Sequence, residues 1–138
     1  MADVNFVDNT IAVTGAIEAA ALAFLNEAAG ELQAQTQRNT RVDTGQTKGA
    51  WSYEVEKSTL EAVVGNTLEN AIWEEMGTGE FALNGDGRKG GWKYQDAKGK
   101  WHFTIGKRPT RAFHNAKITC EPKITKAAQD QFGGMNAP

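Results

Sequence analysis

From about Thr14 to Arg38 the residues Ile17, Ala21, Phe24, Ala28 and Leu32 recur at intervals of three or four and form one helical stripe. Glu18, Glu27 and Glu31 lie off it. A helix of about 25 residues is roughly 37 Å long. That is long for a chain of 138 residues, which suits one domain with one modest core. The rest of the chain must therefore be arranged around this helix, and a sheet across which it packs is expected. Alanine fills much of "AIEAAALAF", so neighbouring backbones can approach it closely.

The period then changes. Val42 stands among polar turn residues, and Asp43-Thr44-Gly45 is a turn signal, with Asp43 placed to cap a short helical turn through Lys48. In "WSYEVEKS", Trp51, Tyr53 and Val55 face one way and Ser52, Glu54 and Glu56 the other, which predicts a half-buried antiparallel strand. "TLEAVVGN" is its partner across a turn near Lys57 to Thr59. Ile72, Trp73 and Met76 fit a short helix that Gly77-Thr78-Gly79 ends.

"GDGRKGG" satisfies the spacing G-x-G-x-x-G at Gly85, Gly87 and Gly90. A phosphate-cradling loop needs a buried strand before it and a helix after it. Upstream, "EEMGTGEFALN" is too polar and glycine-broken for such a strand. Downstream, Trp92 and Tyr94, then Trp101, Phe103 and Ile105, alternate with polar residues around "DAKG", which predicts a β-hairpin. Lys89 is followed by glycine, so a Walker loop is absent. The glycine-rich stretch reads as a mobile loop.

"GKRPTRAF" runs extended through Pro109. Ala112, Ala116, Cys120, Ile124, Ala128 and Phe132 then recur every four residues and predict a second helix. Pro122 inside it predicts a kink near Ile118 or two short helices. The expected architecture is α+β in a single domain: a long N-terminal helix packed on a small antiparallel sheet, a projecting β-hairpin and a C-terminal kinked helix. An N-terminal arm at 1–13 and a flexible tail at 133–138 flank it.

The single cysteine, Cys120, excludes an internal disulfide and a cysteine-rich metal site, and the simplest compartment is a reducing cytoplasm. "MADVNF" has no basic n-region, so no secretion signal is expected. "AIEAAALAFL" carries Glu18 and is too short to span a membrane. Net charge is −2, unevenly spread: residues 1–85 hold 13 acids and 4 bases, residues 86–138 hold 4 acids and 11 bases. Three readings stay open. The halves fold together and neutralise each other; they form separate faces that dock head to tail; or the basic region 86–126 touches nucleic acid.

No catalytic constellation emerges. Glu74 and Glu75 are adjacent and diverge on a helix. His102 sits on the polar side of its strand, and His114 follows Phe113 at the start of the last helix. Cys120 lies on the apolar row, six residues and a different face away from His114. The chain reads as a non-enzyme with no metal and no cofactor.

The order of motifs resembles a known family. "RVDTGQTKGAW" after a long helix is similar to its Asp-Thr-Gly turn, short helix and strand. "EAVVGNTLENAIWEEMGTGE" resembles its strand and the segment ending in an acidic residue and Gly-Thr. "GRKGGWKYQDAKGKWHFTIGKRPTRAFHNA" resembles its glycine-rich loop, aromatic hairpin and Pro-x-x-Phe entry to the last helix. The family is the neck, tail-completion or minor capsid proteins of long-tailed bacteriophages and prophages, and the resemblance covers roughly residues 15–132. Asn70-Ala71, Met76 and Arg41 depart from its usual Tyr-Ala, aromatic and proline.

The resemblance implies a structural virion part at the head–tail junction, assembled in the host bacterial cytoplasm as a homo-oligomeric ring, hexamer or dodecamer. Its neighbours would be a head connector or stopper and a tail-tube or tail-terminator protein. Phage DNA would pass through the lumen without sequence-specific binding, and no membrane is involved. The residues it singles out for structure and interface are Asp43, Thr44, Gly45, Glu75, Gly77, Thr78, Gly79, Trp92, Trp101, Arg108, Pro109 and Phe113. Both Trp92 and Trp101 read either as packing on their own sheet or as contact residues. The alternative function is a small nucleic-acid-binding module using the basic 86–126 region.

Overall fold

Helix α1 runs from Thr10 to Asn39, 30 residues and so about 45 Å. It begins four residues earlier than the apolar stripe predicts. Asp8 explains the early start: its Oδ1 accepts hydrogen bonds from both Thr10 N (2.9 Å) and Thr10 Oγ1 (2.5 Å). The N-terminal arm is accordingly shorter than residues 1–13. These features come from a computed structural model that describes residues 8–42 and 45–133. Asp43 and Thr44, the expected turn and its cap, and residues 134–138 of the expected tail lie outside the described residues.

The principal partner of α1 is α4 (Ala112–Gly133), which lies antiparallel to it. The direction follows from the contacts that join them. Asn39 Nδ2 donates to Ala112 O (3.1 Å), Cys120 Sγ donates to Glu31 O (3.6 Å), and Phe24 meets Phe132 with ring centroids 5.9 Å apart. The seam is built from small side chains: Ala29 and Thr36 on α1, and Ala112, Ala116, Cys120 and Ala127 on α4 are buried. Thr36 is fully buried because its hydroxyl donates to Leu32 O (2.7 Å), closing its polarity within its own helix. Burial pushes the Cys120 thiol up from its ordinary pKa, Lys123 opposing this more weakly. Residue 127, not the expected 128, takes the fully buried place, while Ile124 and Ala128 are half-buried. α4 is one helix of 22 residues through Pro122, not two short ones, with the proline on its exposed side.

On its other side α1 carries the hairpin β1 (Trp51–Glu56) and β2 (Glu61–Asn66), a two-stranded antiparallel sheet in the register Trp51↔Asn66 to Glu56↔Glu61. Trp51, Tyr53 and Val55 turn inward, as the alternation predicts, and Ser52, Glu54 and Glu56 turn to solvent. The Tyr53 ring lies over Gly30, where a Cβ would meet it at 3.8 Å. Gln33 Nε2 donates to Trp51 O (3.1 Å), and Trp51 Nε1 donates to Thr40 Oγ1 (2.9 Å). The helical turn α2 (Gln46–Gly49) precedes β1. The chain is thus α+β, with α1 between a helix and a hairpin.

A second hairpin, β3 (Trp92–Gln95) with β4 (Trp101–Thr104), forms its own two-stranded sheet. Its register pairs Trp92 with Thr104, Lys93 with Phe103, Tyr94 with His102 and Gln95 with Trp101. Paired residues share a face. The aromatic set is therefore split: Trp92 and Tyr94 lie on one face with His102, and Trp101 and Phe103 on the other with Lys93.

About ten residues of α1, Thr10–Ala19, are exposed. Ile11 is 90% exposed. The expectation that the apolar stretch is too short for a membrane needs correction. The helix containing it has an 18-residue window of mean hydropathy 1.4 and is long and apolar enough, by length and composition, to cross one. The stretch "AIEAAALAFL" underestimated the run because apolar residues from Thr10 onward belong to the same helix.

The seam predicts the effect of overpacking. Ala116 has no exposed surface, so Ala116→Leu forces α1 and α4 apart and should lower stability by about 1–3 kcal/mol. Urea unfolding followed by circular dichroism measures it, with the exposed Ile118→Leu as the control that should change little.

Candidate assembly surface

Helix α3 (Asn70–Met76) carries two adjacent acids that do different work. Glu75 reaches the start of α4, where its Oε2 accepts from Phe113 N (3.0 Å) and its Oε1 from His114 N (2.9 Å). These are amides at the open N-terminus of a helix, where a carboxylate is favoured by both hydrogen bonding and the helix dipole. Glu74 turns the other way, to an ion pair with Lys107 and a 3.5 Å hydrogen bond from Thr110 Oγ1. Thr110 N also donates to the Glu74 carbonyl (2.7 Å). The divergence expected of neighbouring helical residues holds. It anchors α3 to two successive parts of the 107–114 segment.

Gly77 ends α3 at φ 77°, and a Cβ there would meet Phe81 O and Pro109 Cδ at 2.9 Å each. This is why Pro109 belongs to the same locus: its ring fills the place a side chain would take. Beyond Gly77 the backbone pairs with the strand-like stretch 105–107. Thr78 N donates to Lys107 O (2.9 Å), Lys107 N donates to Thr78 Oγ1 (2.9 Å), and Glu80 N donates to Ile105 O (2.8 Å). At Gly79, φ 61°, a Cβ would collide with Ile105 O, and one at Gly87 would collide with Gly79 O. A single 3₁₀ turn, Gly79–Phe81, follows, and the Arg108 guanidinium lies 4.7 Å from the Phe81 ring centroid.

The glycine-rich stretch is therefore tied down. Leu83 N donates to Met76 O (3.0 Å) and Gly90 N to Glu80 Oε1 (2.9 Å). The mobile-loop reading gives way to a folded loop whose glycines admit the chain's own backbone. The strand Trp92–Gln95 follows Gly90 and Gly91 directly, as the alternation of Trp92 and Tyr94 predicts.

Around this loop lies an open groove of about 950 Å³. Its wall includes Trp92 and the Trp51–Phe113 pair, stacked 5.8 Å apart at 6°. Arg88 sits 5.6 Å over Trp92. The groove's rim is apolar and open to solvent: Ile72 is 59%, Trp73 57% and Leu83 43% exposed.

Of the residues singled out in the sequence, Glu75, Gly77, Thr78, Gly79, Trp92 and Phe113 line this one groove. Pro109 and Arg108 brace it from behind, and Arg41 Nη2 donates to Arg108 O (3.0 Å). Gly45 lies apart, before α2 at φ 80°. Trp101 is also elsewhere, on the outer face of the second hairpin and 65% exposed. Packing on its own sheet is thus excluded for Trp101 and holds in part for Trp92. The sequence marks Glu74 as diverging from Glu75 and Trp51 as inward-facing without assigning either to this site, and nothing local marks Thr36.

The second hairpin closes on Asp96. Its Oδ1 accepts from Lys98 N and Lys100 N (2.9 Å each), and the His102 Nε2–H donates to its Oδ2 (2.8 Å). The hydrogen bond from His102, then those from the backbone, hold the Asp96 carboxyl below the usual aspartate range. The Tyr94 and His102 rings stack 5.3 Å apart on the same face.

Charges from the two halves of the chain also meet. Glu31–Lys123 and Glu80–Lys89 (both 3.7 Å) and Glu74–Lys107 join an acid before residue 86 to a base after it. The neutralising reading therefore holds for these residues, and among the described residues the two signs are not sorted into wholly separate flanks. Among the described residues no group of three or more His, Cys, Asp or Glu side chains is placed to hold a metal ion. No family model, curated protein or solved structure matches this chain.

Two outcomes are expected here. Gly79→Ala should break the pairing of 78–80 with 105–107 and strip exchange protection from the Glu80 amide, because both its φ and its surroundings reject a Cβ. Gly85→Ala, at φ 70° with nothing within 4 Å, should cost only about 1–2 kcal/mol and leave that amide protected; hydrogen exchange by NMR distinguishes them. For Asp96, a carboxyl with a lowered folded pKa stabilises the hairpin above the unfolded value and loses that contribution as pH falls through the folded one. Exchange protection of the β3–β4 amides should therefore hold near pH 5 and fall below about pH 4, and Asp96→Asn should abolish that acid step.

Proposed function

We propose that this chain is a structural subunit of a long-tailed phage or prophage particle that forms a ring at the head–tail junction, joining tail to head connector while DNA passes through the lumen. It acts by binding and assembly, with no bond chemistry.

One observation carries this reading. The described chain buries only small side chains, while fifteen large hydrophobic residues are exposed, from Ile11 on the projecting end of α1 through Trp73 at the groove to Trp101 and Phe103 on the second hairpin. Apolar surface of that extent on a small domain marks contact sites. Spread over several faces, it suits a subunit with neighbours on more than one side, as in a closed ring. The order of motifs that resembles neck and tail-completion proteins agrees with that geometry. A second reading, a nucleic-acid-binding module, is favoured by exposed Trp101 and Phe103 on the same face as Lys93, because the bases of a single strand stack on exposed aromatic rings near basic groups.

Light scattering combined with negative-stain electron microscopy tests the assembly reading. A mass that rises with concentration from the 14.9 kDa subunit to a closed ring is expected. A chain that stays at the subunit mass, or that grows only into open filaments, overturns the ring. Tight binding to DNA that weakens steeply with salt, by a monomer, favours the second reading.

A further inference from the structure

Among the described residues each hairpin leaves one face uncovered, and the two faces are opposite in character. On β1–β2, α1 covers the inner side, and the outer side presents Glu54, Glu56, Glu61 and Val63, the valine 67% exposed. On β3–β4, the outer side presents Lys93, Trp101 and Phe103, with Lys98 and Lys100 at the tip. Trp101 and Phe103 are 65% and 64% exposed and flank, with Lys93, a shallow depression. Among the described residues none of Glu54, Glu61, Lys93, Lys98 and Lys100 has an ion-pair partner within the chain, in contrast to Glu31, Glu74 and Glu80. The charges that neutralise one another internally are elsewhere. What remains exposed is an acidic hairpin with an apolar centre and a basic hairpin with an aromatic one.

We infer that the outer face of β3–β4 in one copy docks on the outer face of β1–β2 in the next, Trp101 and Phe103 covering Val63 while Lys93, Lys98 and Lys100 meet Glu54, Glu56 and Glu61. Where each face engages a different neighbour, the contact is heterologous, propagates from copy to copy and closes if the rotation permits. This deepens the ring reading and rests on it. A second copy is favoured over nucleic acid because the same chain supplies the matching acidic face. DNA bound on β3–β4 would leave Val63 and the acidic outer face of β1–β2 uncovered. Like charges facing one another, Glu56 opposite Glu61 in the register, also destabilise the acidic face in isolation and are relieved by an incoming lysine.

The test uses the full chain and two charge reversals, Lys93→Glu/Lys100→Glu and Glu54→Lys/Glu61→Lys. All four positions are exposed, and circular dichroism verifies folding. Each variant alone should need roughly tenfold or more protein to associate in sedimentation velocity. An equimolar mixture should recover association, because every reversed face then finds its complement. Wild-type association should weaken as salt rises. If wild type associates and neither reversal weakens it, the interface is overturned and the ring reading stands. If wild type is monomeric at every concentration, both fall. Should the lysine reversal instead abolish binding to an oligonucleotide while association is unchanged, the face belongs to nucleic acid and the docking is overturned.

Discussion

The antiparallel seam between α1 and α4 determines what the rest of the chain can be. It is closed by alanines, one threonine and one cysteine, so the helices meet closely and little volume is left between them. A seam of small residues packs well but removes little apolar surface from water for each residue used. The large side chains of this sequence are consequently distributed around the outside of the helix pair: Tyr53 and Trp51 against α1, Trp73 and Leu83 at the groove, Trp101 and Phe103 on the second hairpin. Several of these are only partly covered by their own chain, which follows from the way the core is made.

The second hairpin depends on that seam through the 105–114 segment. Glu75 fixes the start of α4, and Glu74 holds Lys107 and Thr110. The glycine-rich loop pairs with the same segment through Thr78 and Glu80. The placement of Trp101 and Phe103 is thus determined by backbone pairing and carboxylate anchoring, with close approach at Gly79 and Gly87. A groove and a hairpin face held this way are preformed, which lowers the entropy lost when a neighbour docks.

Much of the architecture was legible because it is written in local periods. Alternation at Trp51, Tyr53 and Val55 and the four-residue row through Ala112, Ala116 and Cys120 locate a strand and a helix without further information. Thr36 was not legible, because a hydroxyl that satisfies itself on the carbonyl four residues back looks polar in sequence and behaves as a small apolar group. The ordering of residues 77–91 was missed for another reason: glycines permit flexibility and close approach equally, and only the distant stretch 105–107 decides between them. The capping of α4 by Glu75, 38 residues away, leaves no local trace. Charge counts by half-chain were informative in part. They foresaw opposite signs, while the structure sorts those charges into internal pairs and two exposed hairpin faces.

Neighbouring copies covering the exposed aromatic surface is the claim on which the functional account rests. Hydroxyl-radical footprinting of the protein across a concentration series tests it most directly, since oxidation reads solvent access side chain by side chain. Oxidation of Trp101, Phe103 and Trp73 should fall as the concentration is raised, with that of buried Cys120 low throughout. Equal oxidation of those three aromatic residues at every concentration would contradict it.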